Sequence, residues 1–105
     1  MGATPVAAVG ATDQHSQVQL FMEGPADKTV TFIASADQGG DVEIPAIYAD
    51  VKDLAYLGGK SLGQLLDIER RATAGALAKR GRPNLTLTLE RVDAAHVGEL
   101  IMLLE

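Results

Sequence analysis

The densest group of side chains able to do chemistry lies at residues 10–19, Gly-Ala-Thr-Asp-Gln-His-Ser-Gln-Val-Gln. His15 stands there among hydroxyl, carboxylate and amide side chains. Histidine is the residue whose ordinary pKa lies near neutrality, so it can take up and return a proton at neutral pH. A solvated histidine on a capped surface helix would have the same neighbours. The residue types alone therefore leave a catalytic and a purely structural interpretation open.

The residues around His15 predict a short helix that would hold it. Thr12 or Asp13 is placed to cap a helix that continues to about Met22, and His15 would lie in its first turn. Gly24 and the proline after it then end the helix, because proline cannot continue one.

Two stretches predict strands. Residues 28–35 are rich in β-branched side chains, and in residues 84–90 leucine alternates strictly with threonine. Residues 2–9 are small and apolar and predict a short buried segment, whereas residues 36–41 predict a loop and 42–45 a short extended piece. Residues 53–56 could form a helical turn. Strands that alternate with helices indicate an α/β fold.

Two further helices are expected from their end signals. Ser61 followed by Gln64 is a capping-box pattern, and it predicts a helix of about 20 residues that ends at Gly81 before Pro83. Asp93 predicts the start of a last helix. The apolar face of that helix comprises Val97, Leu100, Ile101 and Leu104.

Composition excludes several classes of function. The chain has no cysteine, so disulfides, thiolate metal sites and cysteine nucleophiles are ruled out. A net charge of −5 argues against nonspecific nucleic-acid binding, and no apolar run reaches the roughly 18 residues that span a membrane. The first twelve residues contain no Lys or Arg, unlike a signal peptide. We expect a cytoplasmic protein with no cofactor and no metal ion, and with neither nucleic acid nor membrane as partner.

Residues 10–20, GATDQHSQVQL, resemble the second sugar-isomerase (SIS) domain of bacterial-type glucose-6-phosphate isomerases. Other blocks follow in the family's order, namely residues 23–28, 41–45, 57–62, 81–84 and 98–100. The resemblance covers essentially the whole chain. It implies that residues 1–105 are part of a C-terminal SIS domain, a three-layer α-β-α architecture with few of its strands, truncated at both ends.

The resemblance also implies a reaction. The family interconverts glucose 6-phosphate and fructose 6-phosphate, a step of glycolysis and gluconeogenesis, through ring opening and a cis-enediol. A carboxylate base moves the proton between C1 and C2, and a histidine matching His15 acts as acid and base in ring opening. In the family this histidine reaches into the neighbouring subunit, which implies a homodimer with a phosphosugar substrate.

Several of the family's groups have no counterpart in these residues. The matching base glutamate, the phosphate-binding loop and the catalytic lysine all fall outside the chain, so we expect the isolated chain to be inactive. Glu23, Glu43 and Glu69 are expected to be surface carboxylates rather than the base. His96 is expected to have a structural role, because no site motif surrounds it.

Two alternatives stay open. The chain could be a SIS module that binds a phosphosugar without turnover, which requires a phosphate-cradling Ser/Thr-rich loop at a helix N-terminus. Thr12, Ser16 and Ser61 are the candidates for such a loop, and they do not cluster in the sequence. Alternatively, the chain could complete a split enzyme by supplying His15 across an interface.

Overall fold

The computed structural model of the chain describes residues 4–37 and 39–105. Within these ranges three α-helices, one short 3₁₀ helix and two strands form in the predicted order, which confirms the α/β class. They are α1 (Gln14–Glu23), β1 (Val30–Ser35), a short 3₁₀ helix (Ala55–Leu57), α2 (Leu62–Lys79), β2 (Asn84–Leu89) and α3 (Ala94–Leu104). No helix within the two described ranges combines the length and hydrophobicity needed to cross a bilayer.

The two strands pair in parallel. Val30 lies opposite Asn84 and Ser35 opposite Leu89, and α2 makes the crossover between the strands. β1 begins two residues later than predicted, because Val30 is the first residue with a partner in β2. Its N–H donates to the Pro83 carbonyl at 3.1 Å, so the start of β1 is fixed by the turn before β2.

The predicted starts of α2 and α3 are confirmed. The Ser61 hydroxyl accepts from the Gln64 N–H at 3.2 Å, and the Gln64 side chain accepts from the Ser61 N–H at 3.1 Å. This reciprocal pair satisfies two donors at the start of α2. The Asp93 carboxylate accepts from the His96 N–H at 3.0 Å and caps α3 in the same way.

The predicted end of α2 is also confirmed. Gly81 has a φ of +66°, a backbone conformation that glycine adopts without steric cost. Its N–H donates to the Ala78 carbonyl at 3.0 Å, and the Arg82 N–H donates to the Leu77 carbonyl at 2.9 Å. The two bonds make a Schellman motif. They turn the chain sharply into β2, and Arg82 lies in that turn.

Between β1 and α2 the chain follows the predicted pattern loosely. Glu43, within the predicted extended piece at residues 42–45, forms one antiparallel bridge with Ser61. The helical turn expected at residues 53–56 is the 3₁₀ helix, which starts two residues later than expected. One residue of the loop expected at 36–41, Gln38, lies outside the described residues.

Little apolar surface is fully buried. Leu77 has 0% exposure, and no other large hydrophobic side chain in the described ranges is fully buried. The accessible surface is 8098 Å², against about 5,600 Å² expected for a compact monomer of this mass. The radius of gyration is 16.4 Å, against about 13 Å for a compact domain of this length. The fold therefore exposes surface that a closed core would cover.

The expectation of burial at residues 2–9 is wrong for the described part of that segment. In the segment expected to be buried at residues 2–9, Val6 and Val9 are 80% and 68% exposed, because no described element lies over them. Residues 2 and 3 lie outside the described part of the chain. The apolar face of α3 is exposed as well, with Ile101 and Leu104 at 55% and 63% exposure, and no burial was expected there.

Candidate functional site

The candidate site residue His15 is the second residue of α1 and is exposed to solvent. Asp13 occupies the predicted N-cap position, but its side chain does not cap the helix. Its backbone is already helical (φ −80°, ψ −17°), whereas a capping residue is normally extended. The carboxylate instead accepts from the Val9 N–H at 2.7 Å, so it closes the turn that precedes His15.

The two sides of α1 have different surroundings. Gln14, Gln17, Val18 and Phe21 recur at helical spacing and line an open groove of about 300 Å³ between α1, β1 and α2. His15 is one residue, or about 100°, round the helix from Gln14 and does not line this groove. Its imidazole is therefore presented to the outside of the chain.

Polar side chains that line the groove form hydrogen bonds with other residues of the chain. The Thr73 hydroxyl donates to the Gln14 amide oxygen at 3.3 Å, which ties the start of α1 to α2. The Arg70 guanidinium donates through Nε to Asp67 at 3.1 Å and through Nη1 to the Thr86 hydroxyl at 3.1 Å. The charge of Arg70 is thus engaged by a carboxylate on the same helix.

His15 is not brought together with a second reacting group. Among the described residues, none forms a hydrogen bond or ion pair with its imidazole. Glu23 instead pairs with Arg80 at 3.0 Å, and Glu69 lines the groove, which His15 does not line. The described ranges also contain no group of three or more His, Asp or Glu side chains that could hold a metal ion. These residues supply one acid/base group without a partner.

The second histidine, His96, belongs to the cap of α3. Its Nδ1 lies 2.8 Å from Asp93 Oδ1, its Nε2 lies 3.6 Å from Glu90 Oε2, and the ring is 23% exposed. The hydrogen bond with Asp93 and the nearby carboxylates raise the pKa of His96. The His96 N–H and imidazole in turn lower the pKa of Asp93. This arrangement fits the structural role expected for His96.

The Asp93–His96 pair predicts a pH dependence. Because the folded-state pKa of His96 is raised above its ordinary value of 6.5, the stability it contributes is fully present below about pH 6.5 and is lost as pH rises through the folded-state pKa. An NMR titration of the His96 ring should give a midpoint above 6.5 that falls in Asp93→Asn, a variant that keeps a good N-cap residue. A midpoint that Asp93→Asn leaves unchanged would contradict this account.

Similar proteins match nearly the whole of the chain. It is 46% identical over 104 residues to a glucose-6-phosphate isomerase of Rubrobacter xylanophilus, which covers 99% of this chain and 24% of the relative. It is 48% identical over 101 residues to a probable glucose-6-phosphate isomerase of Natronomonas pharaonis, which covers 96% of the chain and 23% of that relative. No family model matches the chain.

The fold comparison agrees with the sequence comparison. The crystal structure of a hypothetical protein from Thermus thermophilus superposes with a TM-score of 0.85 at 44% identity. It covers 95% of this chain, which corresponds to 24% of that protein. The chain is homologous to about a quarter of a glucose-6-phosphate isomerase. The predicted resemblance is confirmed, and the isomerase relatives are about four times as long as the segment they share with it.

The structure adds a residue that sequence reasoning missed. The Arg82 guanidinium donates to the Met22 carbonyl through Nε at 3.1 Å and through Nη2 at 2.9 Å. It also donates to the Gly24 carbonyl at 2.7 Å. These bonds join the turn before β2 to the end of the helix that bears His15. The signal in the sequence that could have pointed to Arg82 is the Gly-Arg-Pro-Asn block at residues 81–84, which contains it.

Proposed function

We propose that this chain supplies His15 as the ring-opening acid/base of a glucose-6-phosphate isomerase, the enzyme that interconverts glucose 6-phosphate and fructose 6-phosphate in glycolysis and gluconeogenesis. The observation that carries the proposal is 46% identity over 99% of the chain with an isomerase of that name. The chain spans about a quarter of that relative. The full activity then needs the other three quarters, and residues 1–105 form part of a SIS domain.

The proton transfers of ring opening suit the imidazole of His15. To open a cyclic sugar phosphate, a proton must leave the hydroxyl of the anomeric carbon and a proton must reach the ring oxygen. An imidazole can do both in turn at neutral pH, and such a positioned acid/base contributes about 10²- to 10⁴-fold in rate. The carboxylate that moves the proton between C1 and C2, and the groups that bind phosphate, come from segments beyond these 105 residues.

The direction in which α1 presents His15 supports a site completed by other protein. The side chains on the inner face of α1 line the groove, and His15 is exposed on another side of the helix. A sugar phosphate bound by a neighbouring segment could therefore reach the imidazole without any rearrangement of α1. The homodimer is the assembly we propose, with cytoplasmic glycolysis as the setting.

A chimera tests the proposed function. The 105 residues replace the matching quarter of the Rubrobacter xylanophilus isomerase, and turnover of fructose 6-phosphate is measured beside the parent enzyme. We expect the chimera to retain activity within about tenfold of the parent, because small misplacements of catalytic groups are costly but the two segments are 46% identical. The parent enzyme lacking that quarter is the control. A folded chimera with no turnover would overturn the proposal and favour a module that only binds phosphosugar, which a titration with fructose 6-phosphate would show.

A further inference from the structure

The helix that bears His15 is held by polar contacts at both of its ends. No residue of α1 is fully buried. At its start, Gln14 accepts from the Thr73 hydroxyl of α2. At its end, the Met22 carbonyl and the Gly24 carbonyl just after it accept from Arg82. The position of α1 on the rest of the chain therefore depends on a few side-chain hydrogen bonds together with the half-buried Val18 and Phe21.

Arg82 is well matched to the end of α1. The last carbonyls of a helix lack partners within the helix and carry the negative end of its dipole. α1 has no basic residue in its own last turn, so cations reach this end from a distant part of the chain: Arg80 pairs with the Glu23 carboxylate at 3.0 Å, and Arg82 is the one that binds the backbone carbonyls. Gly24 makes room for this turn, since a Cβ on it would lie 2.4 Å from the Leu20 carbonyl oxygen.

The turn that carries Arg82 is itself rigid. Gly81 and the Arg82 N–H close the Schellman motif at the end of α2. The Asn84 side-chain amide donates to the Arg82 carbonyl at 3.1 Å and to the Ala74 carbonyl at 3.3 Å. The guanidinium thus projects from a backbone fixed to both α2 and β2.

We propose that Arg82 is a positioning residue that sets the orientation of α1 and so the place of His15 in the active site; this rests on the proposed function. His15 lies seven residues from Met22, which is about 10 Å along the helix. A pivot of about 6° at the Arg82 end therefore moves His15 by about 1 Å, and a misplacement of about 1 Å can cost about 100-fold in rate.

The test compares Arg82→Gln with the unaltered chain by NMR. Two signals are followed, the His15 ring resonance and hydrogen exchange of the α1 amides. We expect exchange in α1 to accelerate about tenfold and the His15 resonance to shift, while the amides of β1 and β2 change less than about twofold. Since Arg82 contacts the far end of α1, a change at His15 reports movement of the helix and not a direct contact.

Two more variants make the result decisive. Arg71→Gln is the matched control, because Arg71 is 72% exposed on α2 and its nearest carboxylate contact, with Asp67, is 3.9 Å. Arg82→Lys keeps the charge but loses the forked geometry, so we expect partial rescue, and it replaces Arg82→Gln if that variant does not fold. The proposal is overturned if the α1 amides exchange as in Arg71→Gln, or if all elements loosen equally.

The two proposals fail in distinguishable ways. The exchange measurement uses the chain alone and no substrate. An inactive chimera together with the expected exchange response of Arg82→Gln would therefore overturn the proposed function and leave the role of Arg82 in orienting α1 standing. An active chimera in which Arg82→Gln leaves kcat unchanged would overturn only the positioning role of Arg82. Where both hold, Arg82→Gln lowers kcat of the chimera about 10- to 100-fold, and Arg82→Lys restores part of it.

Discussion

We expect the 105-residue chain by itself to convert no measurable fructose 6-phosphate, whereas the chimera with the Rubrobacter xylanophilus isomerase should convert it. The chain offers an exposed imidazole, and no described carboxylate is paired with it. In its described residues the chain has no base held against C1 and C2 and no site that holds the substrate in place. The rate acceleration that comes from holding substrate and catalytic groups together is therefore lost. Effective molarities for well-oriented groups reach about 10⁵–10⁸ M, so we expect the chain to fall below the chimera by at least about 10⁴-fold.

This assay is run with the chain and its His15→Ala variant side by side, at equal concentration and with the chimera as positive control. The expected result is no turnover above background in either. Turnover by the chain that disappears in His15→Ala would mean that these residues build a whole site, including a base. The incomplete-site account would then be wrong.

Leu77→Ala is expected to unfold the chain or leave it without a cooperative transition. Leu77 is completely buried, and the described part of the chain has no second large side chain like it. Removing a buried leucine side chain costs about 2–5 kcal/mol, and a small domain has only about 5–15 kcal/mol in total. The fold also exposes more surface than a compact protein of its size, so its stability should lie near the bottom of that range.

The matched control is Leu66→Ala on the same helix. Leu66 is 48% exposed, so the same truncation removes much less buried area and should cost under about 1.5 kcal/mol. Urea unfolding followed by circular dichroism measures both variants. Equal losses of stability in the two variants would show that Leu77 is not the centre of the fold.

Local signals in the sequence predicted most of the secondary structure. The starts of α2 and α3 were predictable because a capping box and an aspartate cap each act within four residues. The leucine–threonine alternation predicted β2 to within one residue. β1 was predicted two residues too long because its start depends on pairing with Asn84, which is far away in the chain.

The environment of the candidate site was less predictable. His15 and its helix were identified from local residue types and from the family resemblance. The bond from the Asp13 carboxylate to Val9 was missed, since the same residue type is a normal N-cap. The Arg82–Met22 contact joins residues 60 positions apart and leaves no periodic pattern. Burial was over-predicted at residues 4–9, the described part of the segment, because apolar composition does not say which surface covers a segment.

The kcat of the chimera with His15 replaced decides whether His15 is the acid/base of ring opening. In His15→Ala, we expect kcat for fructose 6-phosphate to fall about 10²- to 10⁴-fold, with a smaller change in KM because substrate is bound by other segments. Gln19→Ala, an exposed residue of the same helix, is the control and should stay within about twofold of the chimera. A His15→Ala chimera that keeps kcat within about twofold of its parent would contradict the assignment of His15 as the acid/base.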